Sequence, residues 1–348
     1  LGVETVPAFI GTFHSFGLWV LRREAETLNL SPNFTIFDDS DQLSLMKRLV
    51  KDLPKSFLAV SPRDALRFIS QIKQVEPYPN WSDPAESLEE KSFRELWARY
   101  HDALKACSAL DFDDLTALTA HLFSTSPDAC ERYRRRFAHV LVDEYQDTNR
   151  SQYVIARSLG LDSNLFVVGD EDQSIYSWRG ADINNILDFV KDFPRAQAFR
   201  LEENYRSTQK ILDAANAVVA NNVNRLGKTL FTRQQEGEAV RLFSAESAEE
   251  EAAFIAEDYL RRQLPAGGTA VFYRAHALAR LLEEALRERH IPYVVVGGIK
   301  FYSRREIKDL LAYLRLAANP QDDESLRRVL NVPVRGIGNT TRERLEEY

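Results

Sequence analysis

The sequence predicts an α/β protein of two or more domains, interrupted by a long helical insertion. Three observations carry this. Two short apolar runs, Val140–Asp143 and Leu165–Asp170, each end in an acidic residue, as buried parallel strands do when they deliver carboxylates to the carboxyl edge of a sheet. Further on, strand-like runs at Ala239–Phe243, Thr269–Tyr273 and Tyr293–Val296 alternate with helix-like runs at Ser247–Gln263 and Ala277–His290. That βαβα order predicts a parallel sheet with right-handed crossovers. Between residue 15 and Arg136, by contrast, apolar residues recur at three- and four-residue spacing, the mark of helices.

In chain order, Val6–Thr12 reads as a strand that enters a helix at Ser15. Phe16–Leu28, Asp38–Leu53 (from an acidic cap), Phe93–Ala106 and Phe112–Phe123 read as helices. Pro77–Pro84, with Asn80, Ser82 and Asp83, is the obvious loop cluster of this stretch. Strand–helix alternation occupies His139–Glu203. After it come helices at Ile211–Val219 and Glu306–Ala318 and a final segment, Pro320–Tyr348. Both ends read as cut: the chain begins with Leu1, and Thr340–Tyr348 stops inside a helical pattern with no Gly or Pro stop signal.

Composition narrows the function. The longest apolar runs fall well short of the roughly 20 residues of a membrane span, and the first residues lack a basic segment followed by an apolar core. Cys107 and Cys130 are the only cysteines, which excludes a disulfide framework and fits a reducing cytoplasm. The six histidines are scattered, without an i, i+4 pair, so a histidine metal site is not expected. A net charge of −7 is not that of a typical nucleic-acid binder, yet a local basic groove is enough for one. Lys300–Lys308, with aromatics among its basic residues, is such a stretch.

The chemistry concentrates in three runs. Val142–Arg150 (V-D-E-Y-Q-D-T-N-R) presents paired carboxylates, suited to holding Mg²⁺ through water and to polarising an attacking water. Val167–Ala181 (V-V-G-D-E-D-Q-S-I-Y-S-W-R-G-A) adds an amide, two aromatics and an arginine within a few residues. Leu201–Thr208 (L-E-E-N-Y-R-S-T) follows at short spacing. Taken alone, an Asp-Glu after a strand is a helix cap and a loop Trp a packing residue. Taken together and in this order, the runs closely resemble motifs II, III and IV of the UvrD/PcrA/Rep family of superfamily 1 DNA helicases. Gly11–Phe16, Leu110–Leu115 (L-D-F-D-D-L) and Gly297–Leu316 match that family as well, so the resemblance covers essentially the whole chain.

The resemblance implies two RecA-like motor domains, both incomplete here, with ATP bound in the cleft between them and its hydrolysis coupled to strand separation. It divides the chain into residues 1–14 (end of the first part of motor domain 1A), 15–137 (helical subdomain 1B), 138–203 (rest of 1A), 204–319 (2A) and 320–348 (start of helical subdomain 2B). It implies that Asp143 binds Mg²⁺, Glu144 is the general base on water, Gln173 contacts the γ-phosphate, Tyr205 stacks on adenine and Arg206 stabilises phosphate charge. Trp178, then Tyr176, are the expected base-stacking residues. Thr12 and His14 are candidates for DNA phosphate, or a capping Thr and a satisfied His. Arg179 meets phosphate or a structural ion pair. Phe301, Tyr302 and Arg304 are weaker DNA candidates. Gly336 and Gly338 let backbone N–H groups approach duplex phosphate, or form a plain turn.

The implied activity is an ATP-dependent 3′-to-5′ helicase or translocase on single-stranded DNA and single-strand/duplex junctions, in repair or replication and with their proteins as partners. A nucleotide-binding P-loop, G-x-x-x-x-G-K-[ST], does not occur. Leu226–Thr229 (L-G-K-T) imitates its tail, but Asn222 stands where the first glycine belongs and a helix precedes it. With motifs V and VI also expected beyond Tyr348, the chain by itself is expected to be inactive. Two other readings are a helicase–nuclease subunit of the RecB/AddA type and a non-catalytic single-strand-binding module.

Overall fold

The computed structural model describes residues 9–75, 79, 81, 83–161, 164–223, 225–234, 236–296 and 305–346. Contacts divide the chain into two compact units. One comprises Leu1–Arg200, Asn222–Lys228 and Arg305–Tyr348, the other Leu201–Asn221 and Thr229–Arg304. No described helix is long and apolar enough to cross a membrane.

The first unit begins with α1 (Phe13–Arg23), β1 (Thr35–Ile36), α2 (Asp39–Lys51), α3 (Pro62–Val75), α4 (Leu88–Ala106), β2 (Ala109–Leu110), α5 (Phe112–Thr125) and α6 (Pro127–Arg136). There follow β3 (His139–Val142), α7 (Arg150–Gly160), β4 (Asn164–Val167), α8 (Asn184–Leu187) and α9 (Phe189–Asp192). Local chemistry sets the helix starts. Asp38 and Asp41 form a capping box on α2, and Asp111 and Asp114 form one on α5, each satisfying two N–H groups that a helix start leaves without partners. Where α1 crosses α5, a Cβ on Gly17 would stand 2.0 Å from the Leu115 carbonyl oxygen, so only glycine permits the approach. Buried Phe37, Leu45, Met46, Ile69, Leu96, Tyr100 and Leu104 join α2, α3 and α4 into one core.

Among the described residues both sheets are two-stranded and parallel, β1 with β2 and β3 with β4. In the second pair His139 lies opposite Asn164 and Val142 opposite Val167, with α7 as the crossover. Val142 packs with Tyr145, Tyr153 and Ala156. The other face is open, with Leu141 74% and Phe166 58% exposed. The expected strand at Val6–Thr12 is not formed over Phe9–Thr12; residues 6–8 lie outside the described part. There the Phe9 ring packs against Phe16 and Trp19, and Thr12 caps α1 two residues earlier than expected. Of the loop cluster Pro77–Pro84, residues 77, 78, 80 and 82 lie outside the described part.

The unit also includes α13 (Arg305–Ala318), α14 (Asp323–Val329) and α15 (Asn339–Glu346), numbered after the three helices of the second unit. Lys308 pairs with Asp38 at 2.7 Å and Arg315 with Asp41 at 2.8 Å, tying α13 to the start of α2. The Asn319 amide donates to the Cys107 carbonyl at 2.9 Å.

The second unit contains α10 (Gln209–Val219), α11 (Ala248–Arg261) and α12 (Ala279–Glu288). Ala252, Ala256, Ala285 and Ile291 form the α11–α12 core. The sequence pattern and the structure part company here. Ala239–Phe243, Thr269–Tyr273 and Tyr293–Val296 join no ladder among the described residues; the unit shows one parallel bridge, Glu203 with Phe231. A strand is held by a neighbour's backbone and by burial of alternate side chains. These segments have neither hold, since Leu242 is 99%, Phe272 93% and Val294 88% exposed.

Candidate nucleotide and nucleic-acid sites

The parallel β3–β4 pair brings the first two motifs side by side. Val168 N–H donates to the Val142 carbonyl and Tyr145 N–H to the Val168 carbonyl, both at 2.9 Å, so the chain beyond each strand leaves from the same edge. Asp143 and Glu144 stand at that edge with their side chains exposed. Glu144 adopts φ 51°, a left-handed conformation that costs a non-glycine residue about 1–3 kcal/mol. Its N–H donates to Asp143 Oδ1 at 2.9 Å.

Sequence reasoning missed the residue that joins the motifs. Buried Gln146 donates through Nε2 to Glu144 Oε2 at 2.7 Å and accepts the Asp170 N–H on Oε1 at 3.0 Å. Gln173 in turn donates to Asp170 Oδ2 at 2.9 Å. Asp143, Glu144 and Gln173 are thus brought into one hydrogen-bonded assembly. Burial works to raise the Asp170 carboxyl, but the Lys228 ammonium and the Gln173 amide outweigh it and hold the group below the usual carboxylate range. Lys228 pairs with Asp170 and lies 3.7 Å from Glu171, and Arg225 forms a fork on Asp172. The lysine of the L-G-K-T segment is therefore committed to an acidic run. Asp147 is raised by burial and by the Glu144 charge, and its Oδ1 is buried without a hydrogen-bond partner.

No group of three or more His, Cys, Asp or Glu side chains suited to a metal occurs among the described residues. Mg²⁺ bound with nucleotide asks for less: one or two carboxylates, the rest of its shell being phosphate oxygens and water. The exposed Asp143–Glu144 edge, with the orphaned Asp147 oxygen nearby in sequence, fits that requirement.

Tyr205 and Arg206 lie in the second unit, both exposed. Asn204 Oδ1 accepts the N–H groups of Arg206 and Ser207 at 2.9 and 2.8 Å, which fixes the turn ahead of α10. The Tyr205 hydroxyl donates to the Glu203 carboxylate, and this bond raises its pKa.

Trp178 sits on a 3₁₀ turn, Ser177–Arg179, preceded by Tyr176 and closed by Gly180 at φ 81°. Trp178 is 69% exposed, unusual for so large an apolar ring, and Tyr176 lies 6.3 Å away between centroids. Arg179 is not in an ion pair among the described residues; its guanidinium lies 4.5 Å from the Trp178 ring centroid, a cation–π contact. Thr12 caps α1, its hydroxyl accepting the Ser15 N–H at 3.2 Å. His14 stacks on Phe112 at 4.0 Å, and burial lowers its pKa. Thr12 thus fills the capping role that was its alternative to phosphate contact, and the His14 ring packs on an aromatic neighbour. Gly336, at φ 74°, and Gly338 are exposed ahead of α15, with no atom within 4 Å of a Cβ built on either. Asn331 Oδ1 accepts the Arg335 N–H at 2.7 Å and the Ile337 N–H at 3.4 Å. Phe301, Tyr302 and Arg304 lie outside the described residues.

A second missed cluster lies inside the helical part. Lys73 Nζ is 2.7 Å from both Asp111 Oδ2 and Asp114 Oδ1, with all three side chains buried. Its sequence signal is Ala65–Ile69–Lys73, a lysine that continues a buried i, i+4 stripe on α3.

Comparison with known proteins decides the family. Residues 4–194 match the UvrD/REP helicase N-terminal domain, and residues 199–348 the UvrD-like helicase C-terminal domain. The chain belongs to the UvrD/REP helicase family. Among its relatives, the ATP-dependent DNA helicase PcrA of Leuconostoc citreum is 43% identical over 97% of this chain and 46% of its own length. Those of Bacillus subtilis (strain 168) and Staphylococcus aureus (strain Mu50 / ATCC 700699) are 43% and 41% identical over all of this chain and 48% of their own. The chain thus spans about half the length of the UvrD/REP relatives it matches.

Proposed function

We propose that this chain is part of an ATP-dependent DNA helicase or translocase that moves 3′ to 5′ on single-stranded DNA, in the cytoplasm, in repair or replication. The observation that carries the reading is the β3–β4 edge: an exposed acidic doublet linked through Gln146 and Asp170 to the motif that ends in an exposed tryptophan. Nucleotide chemistry and base stacking then share one continuous run of chain. Three relatives bear the name ATP-dependent DNA helicase, which supports ATP as the nucleotide and DNA as the substrate. The direction of travel and the division into two RecA-like motor domains with helical subdomains 1B and 2B rest on the family resemblance.

In this reading Asp143 holds Mg²⁺, which when bound supplies charge neutralisation at the phosphates. Glu144 takes the proton of the attacking water. Its strained backbone and its bond from Gln146 orient the carboxylate, which has no ion pair among the described residues. Gln173 reports on the terminal phosphate and passes the signal along the loop to Trp178. Arg206 stabilises phosphate charge, and Tyr205 stacks on adenine.

The test is ATP hydrolysis by the full-length protein with and without oligothymidylate. Turnover stimulated by DNA supports the reading; turnover indifferent to DNA in wild-type protein removes it.

A further inference from the structure

The buried Lys73 cluster ends beside the Trp178 turn. Lys73 Nζ is ion-paired at 2.7 Å to Asp111 and at 2.7 Å to Asp114. The two aspartates also cap α5, each accepting the other's N–H at 3.0 Å. The Tyr100 hydroxyl donates to Asp111 at 3.1 Å. The last turn of α3 is therefore fixed to the first turn of α5 by buried charge, where breaking one partner is costly.

The constraint reaches motif III through the next residue. Gln74 Oε1 stands 1.6 Å from where a Cβ on Gly180 would sit, so the amide fills the space against this glycine. Gly180 also needs its positive φ of 81° to close the turn that carries Trp178. The Ser151 hydroxyl, on the helix after motif II, donates to the Gln74 carbonyl at 3.2 Å. On the far side of the turn, Asp182 N–H donates to the Thr148 carbonyl at 3.0 Å. The turn is bounded by the Gln74 side chain on one flank and by motif II backbone on the other.

We propose that Gln74, anchored by the Lys73–Asp111–Asp114 cluster, is a positioning residue that sets the Trp178 turn for stacking on single-stranded nucleic acid. The proposal rests on the stacking role given to Trp178 above. Gln74 does not touch the nucleic acid; it acts through the turn. Its effect must therefore vanish when Trp178 is absent, whereas a general contribution to stability would persist.

Fluorescence anisotropy with labelled oligothymidylate, on the full-length protein, separates these cases. Four proteins are compared: wild type, Gln74→Ala, Trp178→Ala and the double variant, each with a thermal melt. Trp178→Ala is expected to weaken binding about 10-fold and Gln74→Ala about 5-fold, with the double variant no weaker than Trp178→Ala alone. Losses that multiply in the double variant overturn the proposal, as does wild-type binding by Gln74→Ala while Trp178→Ala is weakened. Unchanged binding by Trp178→Ala overturns the stacking role itself, and the proposal with it.

Discussion

Asp113–Asp114 and Asp143–Glu144 are acidic doublets placed alike in the chain and unlike in space. Each closely follows a short parallel strand, β2 or β3. Asp114 is 2% exposed and faces Lys73, whereas Asp143 and Glu144 are exposed and have no ion pair among the described residues. What separates them is the counter-charge. A lysine in the core ties Asp114, together with Asp111, into a structural clamp, whereas Asp143 and Glu144 face no such cation among the described residues and are free to meet a ligand. Spacing within a motif does not reveal this difference; the partner, 38 residues upstream of Asp111, does.

Removing the counter-charge is the harshest way to break the comparison. At about pH 8, above the Asp114 titration, Lys73→Ala would leave two carboxylates buried without a cation, and urea denaturation is expected to show a loss of about 3–5 kcal/mol. A loss below about 1 kcal/mol would mean that the clamp adds little and the two doublets are equivalent.

The pH dependence sharpens it. Burial, then the Asp111 charge, push the Asp114 carboxyl up to about 7 against the opposing pull of Lys73. The ordinary value in an unfolded chain is about 3.9. Between the two, the folded state holds a proton that the unfolded state has released, so this group's stabilisation falls as pH rises from about 4 to about 7 and is constant above. Lys73, whose raised pKa lies beyond this window, stays charged throughout. Asp114→Asn is expected to flatten the slope of unfolding free energy between pH 5 and pH 7; an unchanged slope would place the titration elsewhere.

The smallest effect belongs to the exposed doublet. Glu144→Gly relieves a left-handed backbone at φ 51° and is expected to stabilise the protein by up to about 1 kcal/mol while removing the carboxylate. A destabilisation would mean that the Glu144 side chain is held for structure, like Asp114.

Much of the helical part was legible. The expected helix Asp38–Leu53 is α2 at Asp39–Lys51, and Phe112–Phe123 is α5 at Phe112–Thr125, because acidic caps and apolar spacing are local signals. The two acid-terminated strands were legible for the same reason. The strands expected in the second unit do not form among the described residues, since apolar runs such as Tyr293–Val296 fix no ladder partner. At the sites, the motif residues were readable one run at a time. The bonds that join the runs were not: Gln146 to Asp170, Arg225 to Asp172 and Lys73 to Asp111 span 24, 53 and 38 residues. Arg179 was expected in phosphate contact or an ion pair; it is in no ion pair among the described residues, and its guanidinium lies over its neighbour's ring.

The most direct test of the account is ATP turnover and thermal melting of Glu144→Gln beside wild-type full-length protein. The account predicts that turnover falls by about 10²–10⁴-fold, as for loss of a general base, with nucleotide binding and melting temperature retained. Wild-type turnover by Glu144→Gln would contradict it and return the second doublet to a structural role.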